Sequence, residues 1–284
     1  RTAAVTSHFY FKPKRGITQG VKDWDNRDAG TIKESNKDIS SPRIVPRAVA
    51  KLGELSKTGD RFALFVHLSE PHSTYVRHKG FTYAERGSAG LQEKYNIEVK
   101  VVDRWLGKLL AGLKQHGLDK NTAVLLFSDH GEAFKEHGFY FHGQALYNEV
   151  LHVPLILNVP GGPSGKVVTR RVPLLDIAPT ILELMGLQPQ QAFQGRSLLP
   201  LARGEAPSGD REIGAELMPY PAWPQGQQAV IGARYKAVMR VTENRFELYD
   251  LEKDPGEKKD LAPGDPALAK KMRGRLVTFV EQNF

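Results

Sequence analysis

Acidic and histidine side chains follow an apolar run of strand length near the middle of the chain. Residues 123–127 form this run, and Asp129, His130 and Gly131 come just after it. In open α/β sheets, ligands bind at the carboxyl ends of strands. A carboxylate beside an imidazole can bind a divalent cation, and the glycine lets the chain turn sharply. The pattern predicts two metal ligands, although a turn holding a hydrogen-bonded histidine also explains it.

A second apolar run, residues 62–68, leads into Glu70, His72 and Tyr75. Neutral imidazoles bind metals, whereas protonated ones hold anions or protonate leaving groups. We therefore expect a site where the two segments after these strands meet, because together they contain four of the nine histidines: His72, His130, His137 and His142.

For the neighbouring residues a structural role competes with a functional one. Glu132, Glu136 and His137 could line the site or belong to a solvated loop. The aromatic residues Tyr75 and Tyr147 fit packing in the core better, because aromatic side chains dominate protein cores.

The elements that must position these residues alternate between strands and helices. Helical spacing covers 42–57 and 91–116, and a third helix over 176–185 has Asp176 as its expected N-cap. Apolar strands are predicted at 3–7, 62–68, 123–127 and 153–159, which with the helices indicates a mostly parallel central sheet.

The pattern changes after about residue 204. Short strands at 229–234, 236–241 and 246–251 suit an antiparallel meander, and 266–281 suits a basic helix. We therefore predict an α/β core over residues 1–205 and a small α+β subdomain over 206–284.

Composition limits the classes of function. The 284 residues carry a net charge of +8, which favours anionic ligands. The basic residues are scattered and form no nucleic-acid-binding motif, so no nucleic-acid partner is expected. Cysteine is absent, which excludes disulfides, thiolate ligands and a cysteine nucleophile within these residues.

Several segments, in order, resemble the sulfatases of the alkaline phosphatase superfamily. Residues 65–75 read FVHLSEPHSTY, similar to the family's DPHxPY loop, and 127–138 read FSDHGEAFKEHG, similar to its second metal motif. Residues 146–156, LYNEVLHVPLI, and 247–257, ELYDLEKDPGE, match later family segments. The resemblance implies an alkaline-phosphatase-like sandwich with a mostly parallel sheet between helices, plus a small C-terminal antiparallel sheet and helix.

The resemblance also implies roles. Asp129 and His130 would bind one divalent ion, calcium by family analogy, with manganese, magnesium or zinc as alternatives. His72 and His142 would be catalytic and would hold the substrate anion together with Tyr75. His142 stands where many sulfatases have a lysine. Related phosphoethanolamine transferases have histidine there, so sulfur and phosphorus chemistry both stay open.

The family's nucleophile, a formylglycine, has no counterpart in these residues. We expect it upstream of Arg1, in a longer protein of extracytoplasmic location that could carry a membrane anchor there, and we expect this chain alone to be inactive. The resemblance implies a metal-dependent hydrolase of sulfate esters, and the substrate would be a small anionic ester. The alternatives are a phosphodiesterase or phosphonate hydrolase, a phosphoethanolamine or phosphoglycerol transferase, and a non-catalytic binding remnant.

Overall fold

The computed structural model describes residues 1–30, 39–189, 191–205, 209, 211–221 and 224–283. The chain divides into two compact units, Arg1–Ala123 and Val124–Phe284. The predicted boundary between residues 205 and 206 stays a prediction, and residue 206 lies outside the described part.

A three-stranded parallel sheet forms the centre of the first unit. Its strands are β1 (Thr2–Val5), β2 (Asp23–Asp25) and β3 (Ala63–Val66), in the order β2-β1-β3. Ala3, Ala4 and Val5 of the central β1 are almost completely buried, as expected for a strand with neighbours on both edges. Residues 3–7 and 62–68 were predicted as strands, whereas the short edge strand β2 was not.

The described residues of this unit also include two α-helices, α1 (Ser41–Ser56) and α2 (Gly87–Gln115). Ile44 and Ala48 of α1 pack against Val5 of β1, which accounts for the apolar stripe in the sequence. Gly112 of α2 lets the helices approach closely, because a Cβ there would lie 2.6 Å from Val49 Cγ2.

The second unit begins with a strand that leads to the predicted metal ligands. Its elements before residue 205 are β4 (Val124–Phe127), β5 (Ala133–Phe134), β6 (Tyr140–Phe141), α3 (Asn148–Leu151), β7 (Leu155–Asn158), α4 (Ile177–Leu184) and α5 (Leu199–Arg203). Strands β4 and β7 pair antiparallel, with Leu125 opposite Leu157. A continuous apolar run therefore does not by itself reveal the direction of pairing.

Asp176 occupies the N-cap position of α4, as the sequence predicted, but its side chain does not cap the helix. Its backbone is helical and its side chain makes no cap hydrogen bond. Instead, Oδ1 accepts hydrogen bonds from the Arg196 N–H and from Arg211 Nη1, both at 2.8 Å. The carboxylate is thus used in tertiary contacts, which local sequence does not show.

A four-stranded antiparallel sheet and a long helix end the chain. The sheet has the order β11-β10-β9-β8, built from β8 (Ile213–Leu217), β9 (Gln227–Ile231), β10 (Tyr235–Arg240) and β11 (Arg245–Asp250), and the helix is α6 (Pro266–Asn283). Met272 and Leu276 of α6 cover one face, and Leu146 and Tyr147 cover the other. The meander and the last helix were predicted, but β8 was not.

The predicted α/β class, with a parallel sheet, a small antiparallel sheet and a C-terminal helix, is confirmed. Among the helices in the described part of the chain, none combines the length and apolar character that a membrane crossing requires.

Candidate metal and anion site

The segment after β4 is a tight turn stabilised by its own polar groups. Ser128 Oγ donates a hydrogen bond to the His130 carbonyl at 2.8 Å, and the His130 N–H donates to Asp129 Oδ1 at 3.1 Å. The turn interpretation and the ligand interpretation of this sequence are therefore compatible, because the hydrogen bonds fix the backbone that carries both side chains.

Gly131 is required at this point by a close approach to α3. Its N–H donates to the Val150 carbonyl at 2.7 Å, and a Cβ would lie 2.2 Å from the Glu149 carbonyl oxygen. No L side chain fits such a gap without a backbone shift. The glycine therefore allows the turn that carries Asp129 and His130 to hydrogen-bond directly to α3.

Asp129 and His130 present donor atoms of the kind a divalent cation binds. The Asp129 side chain is 83% exposed, and its Oδ1 lies 3.9 Å from His130 Nε2. His130 Nδ1 lies 2.8 Å from the Gly131 carbonyl, which can only accept. This partner assigns the proton to Nδ1, so the lone pair of the neutral ring is on Nε2, beside the carboxylate. One carboxylate oxygen and one imidazole nitrogen fit a divalent ion such as zinc or manganese.

The β5–β6 hairpin brings His142 to the same place. Phe141, the residue before it, has φ +68°, a left-handed conformation that is unusual for an aromatic residue. The His142 ring stacks on His130 with ring centroids 3.9 Å apart. Nitrogen atoms of the two rings lie within 4.8 Å of one another, so both could contact a single bound group.

Glu132 has a contact that its sequence position did not reveal. Its carboxylate Oε1 lies 2.9 Å from His142 Nδ1, and its side chain is only 4% exposed. A glutamate in a solvated loop was an open alternative, but the residue is buried against the candidate site. The signal in the sequence was a single acidic residue ten positions before the histidine, which is too common to be diagnostic.

His137 connects the hairpin to α3 and to the segment after the C-terminal sheet. Its Nδ1 is 2.7 Å from Glu149 Oε1, its Nε2 is 2.9 Å from the Glu257 carbonyl, and its ring stacks on Tyr147. Because both ring nitrogens contact oxygen atoms of the fold, the structure favours the structural interpretation of His137.

The first unit contains the other two predicted site residues, His72 and Tyr75. His72 Nδ1 lies 2.7 Å from the Ser73 carbonyl, which again assigns the Nδ1–H tautomer. Tyr75 is 7% exposed and packs edge-on against Tyr95. The packing role weighed for Tyr75 is thus present in the structure, while its proposed contact with substrate stays a prediction.

Two buried carboxylates fix the ends of the segment that carries His72. Glu70 accepts hydrogen bonds from Ser40 Oγ at 2.6 Å and from the Ser41 N–H at 3.0 Å, where α1 begins. Glu98 of α2 accepts from the Val76 N–H at 2.7 Å. The segment is therefore held by α1 and α2, and burial raises the pKa of Glu98 to about 7.

Comparison with known proteins identifies the class. The family model described as Sulfatase matches residues 3–187, more than half of the chain, and the model for the C-terminal part of N-sulphoglucosamine sulphohydrolase matches residues 135–282. The chain belongs to the sulfatase family.

Among its relatives, arylsulfatase K of Xenopus laevis is 26% identical over 229 residues, 76% of this chain and 42% of that protein. Delta 4,5-hexuronate-2-O-sulfatase of Bacteroides thetaiotaomicron is 32% identical over 178 residues, 60% of this chain and 36% of that protein. The chain thus spans less than half the length of these relatives.

A solved structure of a 2-O GAG sulfatase superposes with a TM-score of 0.78 at 20% sequence identity, covering 98% of this chain and 72% of the other. At this identity the similarity shows the fold. The Asp129–His130 turn lies within residues 3–187, the part of the chain that the Sulfatase family model matches.

Proposed function

We propose that the protein containing this chain hydrolyses sulfate esters, with a divalent metal ion bound by Asp129 and His130. The observation that carries the proposal is the exposed Asp129 carboxylate beside His130, with the His142 ring stacked on His130. A cation held there would neutralise developing negative charge on the ester oxygens. The mixed oxygen and nitrogen donors favour zinc or manganese, while the family resemblance favours calcium.

His142 and His72 are proposed to hold the sulfate group and assist the leaving oxygen, with Tyr75 as a further substrate contact. Both imidazoles carry a proton on Nδ1 that is directed to an oxygen of the protein, so Nε2 is the atom proposed to meet the substrate. Imidazole N–H groups stabilise non-bridging oxygens of a tetrahedral anion when the ring is protonated.

The nucleophile is proposed to be a formylglycine on polypeptide outside these 284 residues, which contain no cysteine and no segment resembling the nucleophile motif. The substrate proposed is a sulfated sugar, supported by the names of the hexuronate-2-O-sulfatase and the 2-O GAG sulfatase. We also propose an extracytoplasmic location, because sulfated polysaccharides occur outside the cytoplasm.

Metal binding by the purified chain tests the first half of the proposal. Titration with Zn²⁺, Mn²⁺ and Ca²⁺ in a calorimeter should show one saturable site, which is lost in Asp129→Ala and His130→Ala. Asp119→Ala, at an exposed turn, is the matched control. Equal binding by all variants would refute the assignment of the ligands.

Turnover tests the second half. The protein with its natural flanking sequence should release sulfate from a 2-O-sulfated sugar, and His142→Gln should lower kcat/KM by about 100-fold or more, a loss typical of a group that stabilises transition-state charge. Faster turnover of a phosphonate or phosphate ester would favour the phosphorus-transferring alternative. Turnover by the 284-residue chain alone would contradict the external nucleophile.

A further inference from the structure

The buried Glu132 carboxylate is the least expected group in the candidate site. Its side chain is 4% exposed, in the segment after β4 that is otherwise open enough to leave Asp129 83% exposed. Burying a carboxylate has a large free-energy cost unless a donor meets it, and His142 Nδ1 is such a donor, at 2.9 Å.

The contact determines which nitrogen of His142 carries the proton in the neutral ring. An ionised carboxylate only accepts hydrogen bonds, so Nδ1 carries the proton and Nε2 the lone pair. The Gly131 carbonyl does the same for His130. Two stacked imidazoles are therefore fixed in the same tautomer by different partners.

The hairpin backbone alone does not fix the ring. Phe141 at φ +68° and Gly143 at φ +80° place His142 between two left-handed residues, which sets where its Cα lies but leaves the ring free to rotate about χ1 and χ2. The stack on His130 restricts that freedom, and a partner for one ring nitrogen decides which way round the ring lies. Glu132 is the partner on the opposite side of the hairpin, just before β5.

We propose that Glu132 is a positioning residue, which orients the His142 ring by accepting from Nδ1. In the neutral ring Nε2 then carries the lone pair, and in the protonated ring the Nε2–H is directed at the bound group. The orientation and the tautomer do not depend on the proposed function. Only the identity of the bound group, a sulfate, rests on it.

Nuclear magnetic resonance of ¹⁵N-histidine-labelled protein measures the tautomer directly. In the wild-type chain, long-range ¹H–¹⁵N correlations should show His142, assigned with His142→Gln, in the Nδ1–H tautomer at high pH, where the ring is neutral. Glu132→Ala should lose this preference and show averaged nitrogen shifts. Glu132→Gln should keep it, because the amide oxygen can accept from Nδ1.

Glu136→Ala is the matched control, since Glu136 is an exposed glutamate of the same hairpin that contacts the Phe134 N–H. Backbone amide spectra confirm that each variant is folded. An unchanged His142 tautomer in folded Glu132→Ala, or a loss of the tautomer in Glu136→Ala as well, would overturn the proposal.

Inorganic sulfate then separates the positioning role from the proposed function. At a pH low enough to protonate the ring, sulfate should shift the His142 Nε2 resonance. Its affinity should be at least about tenfold weaker in Glu132→Ala than in Glu132→Gln, which removes the same charge but keeps an acceptor for Nδ1. A tautomer that depends on Glu132 without any sulfate response would leave the positioning role standing and count against the sulfatase assignment.

Discussion

At the scale of single residues, protein oxygen atoms determine what the candidate site can bind. The Gly131 carbonyl and the Glu132 carboxylate each face the Nδ1 of a histidine, so in the neutral rings the lone pair is on Nε2. In metalloproteins, such partners fix ring orientation and raise ligand basicity. The proposed chemistry of Asp129 and His130 therefore depends on the residues beside them as much as on the two side chains themselves.

Replacing Gly131 with alanine should destabilise the protein by roughly 1–3 kcal/mol, the usual cost of inserting atoms into a well-packed site. The new Cβ would lie 2.2 Å from the Glu149 carbonyl oxygen and force the turn away from α3. Urea unfolding measures the loss, and metal titration should show weaker binding because His130 moves with the turn.

Gly274→Ala is the matched control for this substitution. Gly274 lies in α6 with no atom near its added Cβ, so alanine there should stabilise the helix by up to about 1 kcal/mol. Equal effects at the two glycines would show that the close approach to Glu149 is not limiting.

At the scale of elements, α2 does more than cover the sheet. Glu98 is buried within the helix, accepts from the Val76 N–H, and lies 3.6 Å from His78 Nε2. Burial raises the pKa of Glu98 to about 7, with a further contribution from the charge of Glu70, and burial lowers the pKa of His78. The helix thus holds the His72 segment through a carboxyl group that is protonated below neutral pH.

This gives a pH dependence with a defined sign. The folded pKa of Glu98, about 7, is above its reference value of 4.5, so the folded state binds the extra proton. Its contribution to stability is complete below pH 4.5 and is lost as the pH rises through 7. At about 1.4 kcal/mol per pKa unit, the loss between pH 5 and 8 is roughly 2–3 kcal/mol.

Glu98→Gln should remove that part of the pH dependence, because the amide does not ionise. Urea unfolding at pH 5, 6.5 and 8 should show the variant gaining stability relative to wild type as the pH rises. Glu85→Gln, an exposed glutamate near the start of α2, is the control. Parallel curves for wild type and Glu98→Gln would contradict the shifted pKa.

The C-terminal sheet contains a buried ion pair that joins it to α3. Lys236 Nζ of β10 lies 2.6 Å from Glu257 Oε1, both side chains are 0% exposed, and Glu257 Oε2 accepts from the Asn148 N–H. Burial lowers the pKa of Lys236, and the Glu257 carboxylate opposes this shift. Removing one partner leaves a buried charge without compensation.

Lys236→Met should therefore cost about 3–5 kcal/mol in unfolding free energy, and the double variant Lys236→Met, Glu257→Gln should recover part of the loss. Arg203→Met is the control, because it removes an exposed pair with Glu183 that contributes less than about 1 kcal/mol. A cost for Lys236→Met no greater than the control would show that the pair is not structurally important.

At the scale of the whole molecule, the C-terminal sheet depends on residues that precede residue 206. Leu146 and Tyr147 pack on the face of the sheet opposite α6, and Tyr147 Oη interacts with Glu247 and Arg240. The predicted subdomain 206–284 lacks these contacts, whereas the compact unit Val124–Phe284 includes them.

We expect residues 124–284 to unfold cooperatively when expressed alone, and residues 206–284 to be much less stable or unfolded. The shorter fragment would expose the face covered by Leu146 and Tyr147 and lose their hydrogen bonds. Thermal unfolding followed by circular dichroism compares the two. Equal midpoints would support a separate subdomain with the boundary at 205/206.

The sequence by itself determined the family and most of the elements, and it singled out Asp129 and His130 as the proposed metal ligands. The sequence pattern predicted α1, α2, α6 and the strands β9 to β11, because the spacing of apolar residues along one segment shows which face of it will be buried. The Asp129–His130 turn was recognisable because the short-range hydrogen bonds and the glycine that shape it are encoded within a few residues.

Only the tertiary structure decided what the neighbouring polar residues do. The sequence left the same two roles open for Glu132 and His137, lining the site or belonging to a solvated loop. In the structure, Glu132 contacts His142, whereas His137 contacts the carbonyl of Glu257, 120 positions away. The antiparallel pairing of β4 with β7 and the use of Asp176 in tertiary hydrogen bonds were equally hidden. Each depends on groups far apart in the chain, and neither propensity nor spacing records which distant groups meet.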